Sequence, residues 1–185
     1  MKVLYLLRHA KSSGQRPGSK DYDRPLTDEG RDGASKLGRR MRSRGFIPER
    51  ILCSGALRAR ETLDLIAAGL GKDIPAEIDR RLYAANAEQL LRRLQKLDET
   101  IGSVLVIGHN PTLQSLAADL AGAGKRKDIE RLGIEFPAAS LAVLTISGSK
   151  LAGPRAGRCR SQGPGEAERS GMTSRHDRAV LLTRP

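Results

Sequence analysis

The sequence predicts an α/β fold, a three-layer sandwich in which a mostly parallel central sheet carries helices on both faces. From Met1 to about Ser149, short apolar runs alternate with longer segments whose apolar residues recur about every 3.6 positions, which is typical of βα units. The run at residues 103–107 is rich in β-branched residues and indicates a parallel strand buried on both faces. A length of 185 residues suits one domain with a tail.

The first three elements follow from two apolar runs and one amphipathic segment. Residues 2–7 are apolar after Lys2 and predict the first strand. Residues 27–44 predict a helix, because Leu37 and Met41 share one face and Gly45 is a typical stop. Residues 50–53 predict a second, shorter strand.

A second helix is predicted at residues 57–70. Its Leu63, Ile66 and Leu70 are spaced to lie on one buried face, and Gly71 ends it. The order of strand and helix thus repeats, which is the alternation that builds a parallel sheet.

Later elements follow from capping residues and one more apolar run. Asn86 and Gln89 are three positions apart and predict a capping box for a leucine-rich helix. The strand at residues 103–107 is followed by Pro111, which is typical of a first helical turn, and then by a helix through Leu120. Residues 140–146 predict the last strand of this region.

Residues 151–185 differ sharply in composition from the rest of the chain. They contain seven Arg, five Gly and three Pro, and only residues 179–183 have the pattern of a strand. We therefore expect one domain at residues 1–150 and a basic, poorly ordered tail at residues 151–185. The same composition would arise from a frameshifted reading of a GC-rich gene, which we keep as a hypothesis.

Composition excludes several classes of protein. Aromatic residues make up only 3% of the chain and Trp is absent, so we do not expect the stacking surface of a single-strand nucleic-acid binder, despite a net charge of +12. No run approaches the roughly 18 apolar residues of a membrane span, so no membrane partner is expected. Cys53 and Cys159 lie far apart without a CxxC pair, which suits a reducing, cytoplasmic location.

A basic run on the first predicted helix has two interpretations. It is most simply a solvated helix face, and alternatively a docking face for an acidic partner. The run consists of Lys36, Arg39, Arg40, Arg42 and Arg44.

The candidate chemistry collects in loops that follow three predicted strands. Ligands of open parallel sheets bind outside the carboxyl ends of the strands, so we expect Arg8, His9, Arg58 and His109 to meet there. Two arginines and two histidines, with no carboxylate among them, describe a pocket for a doubly charged tetrahedral anion. A neutral imidazole can attack phosphorus while a protonated one stabilises the transition state. The set is sufficient for phosphoryl transfer without a metal or a cofactor.

Three further residues are candidates for binding the substrate. Lys11 and Ser12 follow His9 and either contact phosphate or cap the loop. Asn110 is expected to be a helix N-cap whose backbone N–H can also face the anion. Cys53 does not form a tyrosine-phosphatase motif, because the arginine that this motif needs at position 59 is Ala59.

Four ordered motifs resemble those of the histidine phosphatase superfamily, the phosphoglycerate mutase-like proteins. The RHAKS opening is most similar to the SixA type of phosphohistidine phosphatase. Gly55 stands where the family usually has proline, a change in loop stiffness. The motifs are Arg8-His9-Ala10, PLTDEG at residues 25–30, SGALRARET at residues 54–62, and Gly108-His109-Asn110-Pro111.

The resemblance implies a role for each matched residue. His9 would be the phosphorylated nucleophile, Arg8 and Arg58 would bind phosphate, and His109 would be the second imidazole of the pocket. Arg58 is preferred to Arg60 because it holds the arginine position of the family's segment. The substrate would be a phosphorylated histidine-containing protein in signalling or phosphotransfer, and inorganic phosphate would be the product.

Two alternatives stay open: a small-molecule phosphomonoesterase of the same family, and a basic nucleic-acid or protein-docking module without activity. Family members that cleave alkyl phosphates usually have a Glu or Asp after the strand that follows the second helix, as general acid. Residues 81–86 contain no acid, and Glu88 is expected in the first turn of its helix. This gap favours a phosphoramidate substrate. We also expect a bell-shaped pH profile, with His9 neutral and His109 protonated.

Overall fold

The computed structural model describes residues 2–121, 130, 134–146 and 178–182, and it confirms the predicted α/β class. The helices that position the site are α1 (Asp28–Ser43), α2 (Leu57–Leu70), α3 (Ala87–Gln95) and α4 (Thr112–Leu120). The strands are β1 (Lys2–Arg8), β2 (Arg50–Ser54), β3 (Ala76–Asp79), β4 (Ser103–Gly108), β5 (Leu141–Ile146) and β6 (Arg178–Leu182).

The strands form one sheet in the order β3-β2-β4-β1-β5-β6. The first four in this order run parallel, and β5 is antiparallel to both β1 and β6. Arg8 pairs with Gly108 at the ends of β1 and β4, and Cys53 of β2 pairs with Ile107. The carboxyl ends of β2, β4 and β1 therefore lie side by side at one edge of the sheet.

Alternate residues of each central strand pack on opposite faces of the sheet. In β1, Leu4 and Leu6 join a core with the leucines of α3 and α4, whereas Tyr5 and Leu7 join a core with α1 and α2. A strand that is buried on both faces has a continuous apolar sequence, as predicted for residues 103–107 of β4. The two cores make the molecule a sandwich of three layers.

Most predicted elements are present within one residue of their predicted ends. Helix α1 has Thr27 as its N-cap, whose side chain accepts a hydrogen bond from the Gly30 N–H. Helix α2 has the predicted bounds, and the capping box of Asn86 and Gln89 begins α3. The helices and strands predicted from local sequence patterns are therefore the ones that the structure forms over most of residues 2–121.

The predicted tail is partly within the described residues. Strand β6 lies where the sequence predicts a strand at residues 179–183, and it pairs with β5. Residues 151–177 and 183–185 lie outside the described residues, so the disorder predicted for them stays a prediction.

None of the helices within the described ranges is long and apolar enough to cross a membrane. Within the same ranges, His, Cys, Asp and Glu side chains do not group in threes as a metal site requires.

Candidate active site

The two candidate histidines meet at the carboxyl edge of the sheet. His9 follows β1 and His109 follows β4, and the centroids of their rings are 5.1 Å apart. Because β1 and β4 are adjacent and parallel, their ends bring these residues together although they are a hundred positions apart. The structure thus places both histidines as the sequence predicts.

His9 presents one ring nitrogen to the site and uses the other to hold its orientation. Its Nδ1 lies 2.7 Å from the carbonyl oxygen of Ala10. A carbonyl only accepts, so Nδ1 carries the proton and Nε2 carries the lone pair. Burial lowers the pKa of His9 to about 4, and the charge of Arg58 acts in the same direction. The imidazole is therefore neutral at neutral pH, as a nucleophile must be.

The loop that carries His9 is held from two sides. The His9 N–H donates to the carbonyl of Gly108, and the Ala10 N–H donates to Oγ1 of Thr62 in α2. The Thr62 hydroxyl in turn donates to the carbonyl of Arg58. The buried Thr62 therefore fixes His9 and Arg58 relative to each other.

Arg58 lies in the first turn of α2 and is buried beside His9. Its Nε donates to Nε2 of His9 at 3.2 Å, and its side chain is only 7% exposed. Arg60 is exposed, so the preference for Arg58 over Arg60 agrees with the geometry. A buried guanidinium next to a neutral imidazole is an arrangement that binds an oxyanion at the nucleophile.

His109 is half-buried, and one of its ring nitrogens has no partner among the described residues. Its Nε2 lies 2.8 Å from Oγ of Ser54, whereas Nδ1 has no hydrogen-bond partner among the described residues. The Tyr83 ring packs edge-on against it with centroids 5.4 Å apart. Burial lowers the pKa of His109 to about 3, with the charges of His9 and Arg58 acting in the same direction. Without a bound anion the His109 imidazole is therefore neutral at neutral pH, and the expectation that His109 is protonated during the reaction stays a prediction.

Arg8 and Asn110 converge on one backbone carbonyl. Nη1 of Arg8 and Nδ2 of Asn110 donate to the Phe136 oxygen at 2.8 and 2.9 Å. The Asn110 amide also donates to Gln114. Pro111 is the N-cap of α4, so the prediction of Asn110 as N-cap is wrong. Nε of Arg8 and Oδ1 of Asn110 are buried without a partner among the described residues, which leaves them available to a polar ligand.

Lys11 and Ser12 form no described hydrogen bond with His9, Arg58 or His109. The Lys11 ammonium pairs with Glu29 of α1 and is 57% exposed, so its described partner is not a member of the histidine and arginine cluster. Oγ of Ser12 accepts from Nη2 of Arg24 at 2.9 Å. Ser12 therefore contacts the site through Arg24.

The structure contains a carboxylate that the sequence analysis missed. Asp21 accepts hydrogen bonds from Nη2 of Arg58 at 2.9 Å, Nη1 of Arg24 at 2.6 Å and the Tyr83 hydroxyl at 2.6 Å. Hydrogen bonds from Tyr83 and Arg24 hold the pKa of Asp21 well below its usual range. The expectation of a site without a carboxylate is thus wrong, because a loop distant in sequence folds over Arg58.

Arg24 adds a third arginine near His9. Its Nε donates to the Ser13 carbonyl at 2.7 Å, and its charge helps to lower the pKa of His9. The signal for both missed residues was their position in DYDR, directly before the PLT motif and with Asp21 and Arg24 three positions apart.

Gly55 makes room for an aromatic side chain. A Cβ at this position would lie 2.1 Å from the hydroxyl oxygen of Tyr22, which no real Cβ permits. The Tyr22 ring also packs edge-on against Tyr83, with centroids 5.0 Å apart. Glycine at position 55 therefore allows the loop that carries Asp21 to lie against the site.

Comparisons with known proteins agree with this geometry. Residues 4–89 match the model of the histidine phosphatase superfamily (branch 1). The chain is 34% identical over 146 residues to an uncharacterised Mycobacterium leprae protein, covering 77% of this chain and 88% of that protein. It is 31% identical over 119 residues to the phosphohistidine phosphatase SixA of Escherichia coli, covering 63% of this chain and 73% of that protein.

Solved structures that are similar to this chain include two SixA proteins. An Agrobacterium tumefaciens protein assigned as phosphohistidine phosphatase SixA is 31% identical, with a TM-score of 0.71 over 77% of this chain and 90% of that chain. The protein histidine phosphatase SixA complexed with tungstate is 27% identical, with a TM-score of 0.66 over 78% of this chain and 88% of that chain. The fold of this chain is thus similar to that of these two SixA proteins.

Proposed function

The chain belongs to the histidine phosphatase superfamily, and we propose that it is a metal-independent phosphohistidine phosphatase that works through a phospho-His9 intermediate. The observation that carries the proposal is the geometry of His9. Its Nδ1–H donates to the Ala10 carbonyl, so Nε2 has a lone pair and faces Arg58. The similarity to SixA supports phosphohistidine as the substrate.

In the first step, a phosphoryl oxygen replaces Nε2 of His9 as the acceptor of the Arg58 Nε–H. The freed lone pair of Nε2 then forms a bond to phosphorus, and the phosphorus–nitrogen bond of the substrate breaks. The other ring nitrogen of the substrate takes a proton from solvent, so that a neutral imidazole leaves. The carbonyl of Ala10 accepts from Nδ1–H and stabilises the positive charge that the phosphorylated His9 ring gains. Arg8 and Arg58 bind the phosphoryl oxygens.

In the second step, water attacks phosphorus and the bond to Nε2 of His9 breaks. Inorganic phosphate leaves, and His9 recovers its lone pair. His109 lies beside His9, and the negative charge of the phosphoryl group raises the pKa of His109, so it holds a proton toward the phosphoryl oxygens.

The carboxylates near the site favour a phosphoramidate over an alkyl ester. Asp21 is ionised and bonded to three donors, so it has no proton to give to an alkoxide. Glu88 pairs with Arg92 at 2.7 Å on an exposed face of α3, not with a member of the site. A leaving imidazole takes its proton from solvent and needs neither group, whereas an alkoxide needs a general acid.

The proposal includes a signalling or phosphotransfer protein as substrate and a cytoplasmic location. The reduced, buried Cys53 is consistent with a reducing compartment.

The test compares phosphate release from a phosphohistidine peptide and from an alkyl phosphate, with a chelator present. We expect release from the phosphohistidine peptide, strong preference over the alkyl phosphate, and loss of release in His9→Ala and Arg58→Ala. The exposed Arg60→Ala is the matched control, because it removes the same charge from the same helix. Equal release from both substrates would indicate the phosphomonoesterase, and release that needs a metal would contradict the mechanism.

A further inference from the structure

A groove of about 680 Å³ lies between helix α3 and the chain segment that follows β3. It does not include His9, Arg58 or His109 among its lining residues, so it is distinct from the proposed phosphoryl site. We call it the α3 groove. Its lining consists of Asp79, Arg81, Leu82, Ala84, Ala85, Gln89, Arg92, Arg93 and Lys96.

Positive charge exceeds negative charge in the lining of the α3 groove. Four basic side chains line the groove with one carboxylate, the buried Asp79, which accepts from Arg81 at 2.8 Å. Arg93 pairs with Glu77 at 2.6 Å, and its Nε lies 3.6 Å from Asp79. Arg92 pairs with Glu88, whose carboxylate is 71% exposed, and such solvated pairs are weak and easily exchanged. Lys96 forms no ion pair with any residue in the described part of the chain. The groove therefore offers the charges of Arg92 and Lys96, rather than those of Arg81 and Arg93, to an anionic ligand.

The α3 groove and the active site share one chain segment. A 3-10 turn at Arg80–Tyr83 places Leu82 in the groove, whereas the Tyr83 ring packs on His109 and its hydroxyl donates to Asp21. The Thr112 hydroxyl donates to the Ala85 carbonyl at 2.5 Å and connects the same segment to α4. A ligand that fills the groove thus lies next to the site where the phosphoryl group reacts.

We propose that the α3 groove binds an acidic segment of the protein that carries the phosphohistidine. The inference rests on the proposed function and deepens it by naming the surface and the chemistry of the substrate. Carboxylates of the segment pair with Arg92 and Lys96, while Leu82, Ala84 and Ala85 contact its apolar atoms. None of the groove's lining residues is aromatic, which favours an acidic polypeptide over nucleic-acid bases.

The test uses two peptides, each with one phosphohistidine. One has four Glu residues near the phosphohistidine and the other has four Gln residues in the same places. We expect the wild type to have a kcat/KM about five-fold higher for the Glu peptide, the size expected for two solvated ion pairs. In the variant Arg92→Gln/Lys96→Gln this preference falls to about one-fold. Hydrolysis of phosphoramidate, which is too small to reach the groove, stays unchanged.

The matched control is Lys36→Gln/Arg39→Gln, which removes two exposed charges from α1, on the other face of the sheet. We expect this control to keep the preference for the Glu peptide. If the control loses the preference as much as the groove variant does, the effect is due to net charge and the proposal is wrong. The absence of any preference in the wild type would also contradict it.

A binding measurement separates the groove from the reaction. The unphosphorylated Glu peptide, labelled with fluorescein, is expected to bind wild type about five-fold more tightly than the groove variant. If phosphoramidate and both phosphopeptides are not hydrolysed but this difference persists, the proposed function fails and the groove assignment stands. If single-stranded RNA binds with this difference and the Glu peptide does not, the ligand class is wrong.

Discussion

The Nη2 atom of Arg58 lies 2.9 Å from Oδ2 of Asp21, and this ion pair sets the direction of the arginine. Nη1 of the same guanidinium donates to the Asp21 backbone carbonyl at 2.6 Å, and its Nε donates to Nε2 of His9 at 3.2 Å. Asp21 is therefore a positioning residue: it holds Arg58 at His9.

Asp21→Asn removes the charge that orients Arg58 but keeps a side chain of the same shape. We expect kcat/KM for a phosphohistidine peptide to fall about ten-fold, since a charge-assisted hydrogen bond becomes a neutral one. The loss should appear mainly in KM, because Arg58 binds the phosphoryl oxygens in ground state and transition state alike. Steady-state kinetics measure this split.

The control for Asp21 is Asp32→Asn. Asp32 is exposed and pairs with Lys36 within α1, whereas Arg58 pairs with Asp21 and His9. An equal loss of activity in the two variants would contradict the positioning role, as would an unchanged KM in Asp21→Asn.

Gly55→Ala is expected to destabilise the protein because the new Cβ would overlap the Tyr22 hydroxyl. The cost should be about 1–3 kcal/mol in the free energy of unfolding, as for other overpacking substitutions. Adding Tyr22→Phe removes the overlapping oxygen and should restore part of the loss. Chemical denaturation of the single and double variants measures this coupling. Strict additivity of the two substitutions would show that Tyr22 does not limit position 55.

The buried His9 and the half-buried His109 predict how stability depends on pH. Burial lowers the pKa of His9 to about 4 and that of His109 to about 3, whereas an unfolded histidine titrates near pH 6.5. Between about pH 6.5 and 4 these histidines bind more protons in the unfolded chain than in the folded one. The free energy of unfolding is therefore highest above pH 6.5 and decreases as the pH falls through this range. The low pKa of Asp21 acts only in a more acidic range, below its usual value.

Proton NMR of the imidazole C2 protons tests this assignment. We expect the resonances of His9 and His109, identified by single His→Asn variants, not to titrate above pH 5. Added phosphate should raise the midpoint of His109, because an anion next to the ring favours its protonated form. A midpoint near 6.5 for either residue without phosphate would contradict the assignment.

The parts of the fold that the sequence predicts are those with a local pattern. Helices α1 and α2 and the strands beside them follow from apolar periodicity and from caps such as Thr27. The meeting of Arg8, His9 and His109 follows from one rule about the ends of parallel strands. These features need no knowledge of contacts between distant residues.

The features that the sequence analysis missed depend on tertiary contacts. Asp21 begins a 3-10 turn at Asp21–Asp23 that is too short to show periodicity, and its contact with Arg58 joins positions that are 37 residues apart. Asparagine is a residue type that is common at N-caps, yet the Asn110 amide donates to the Phe136 carbonyl instead. In both cases a distant group competes with the local pattern and determines the contact.

The phosphorylated enzyme itself tests the central claim most directly. The protein is incubated with a phosphohistidine peptide, quenched in alkali, where phosphohistidine survives, digested and analysed by mass spectrometry. We predict one phosphorylated enzyme peptide, with the phosphate on His9, and no labelled peptide in His9→Ala. Phosphate on another residue, or steady phosphate release with His9 never labelled, would contradict the account.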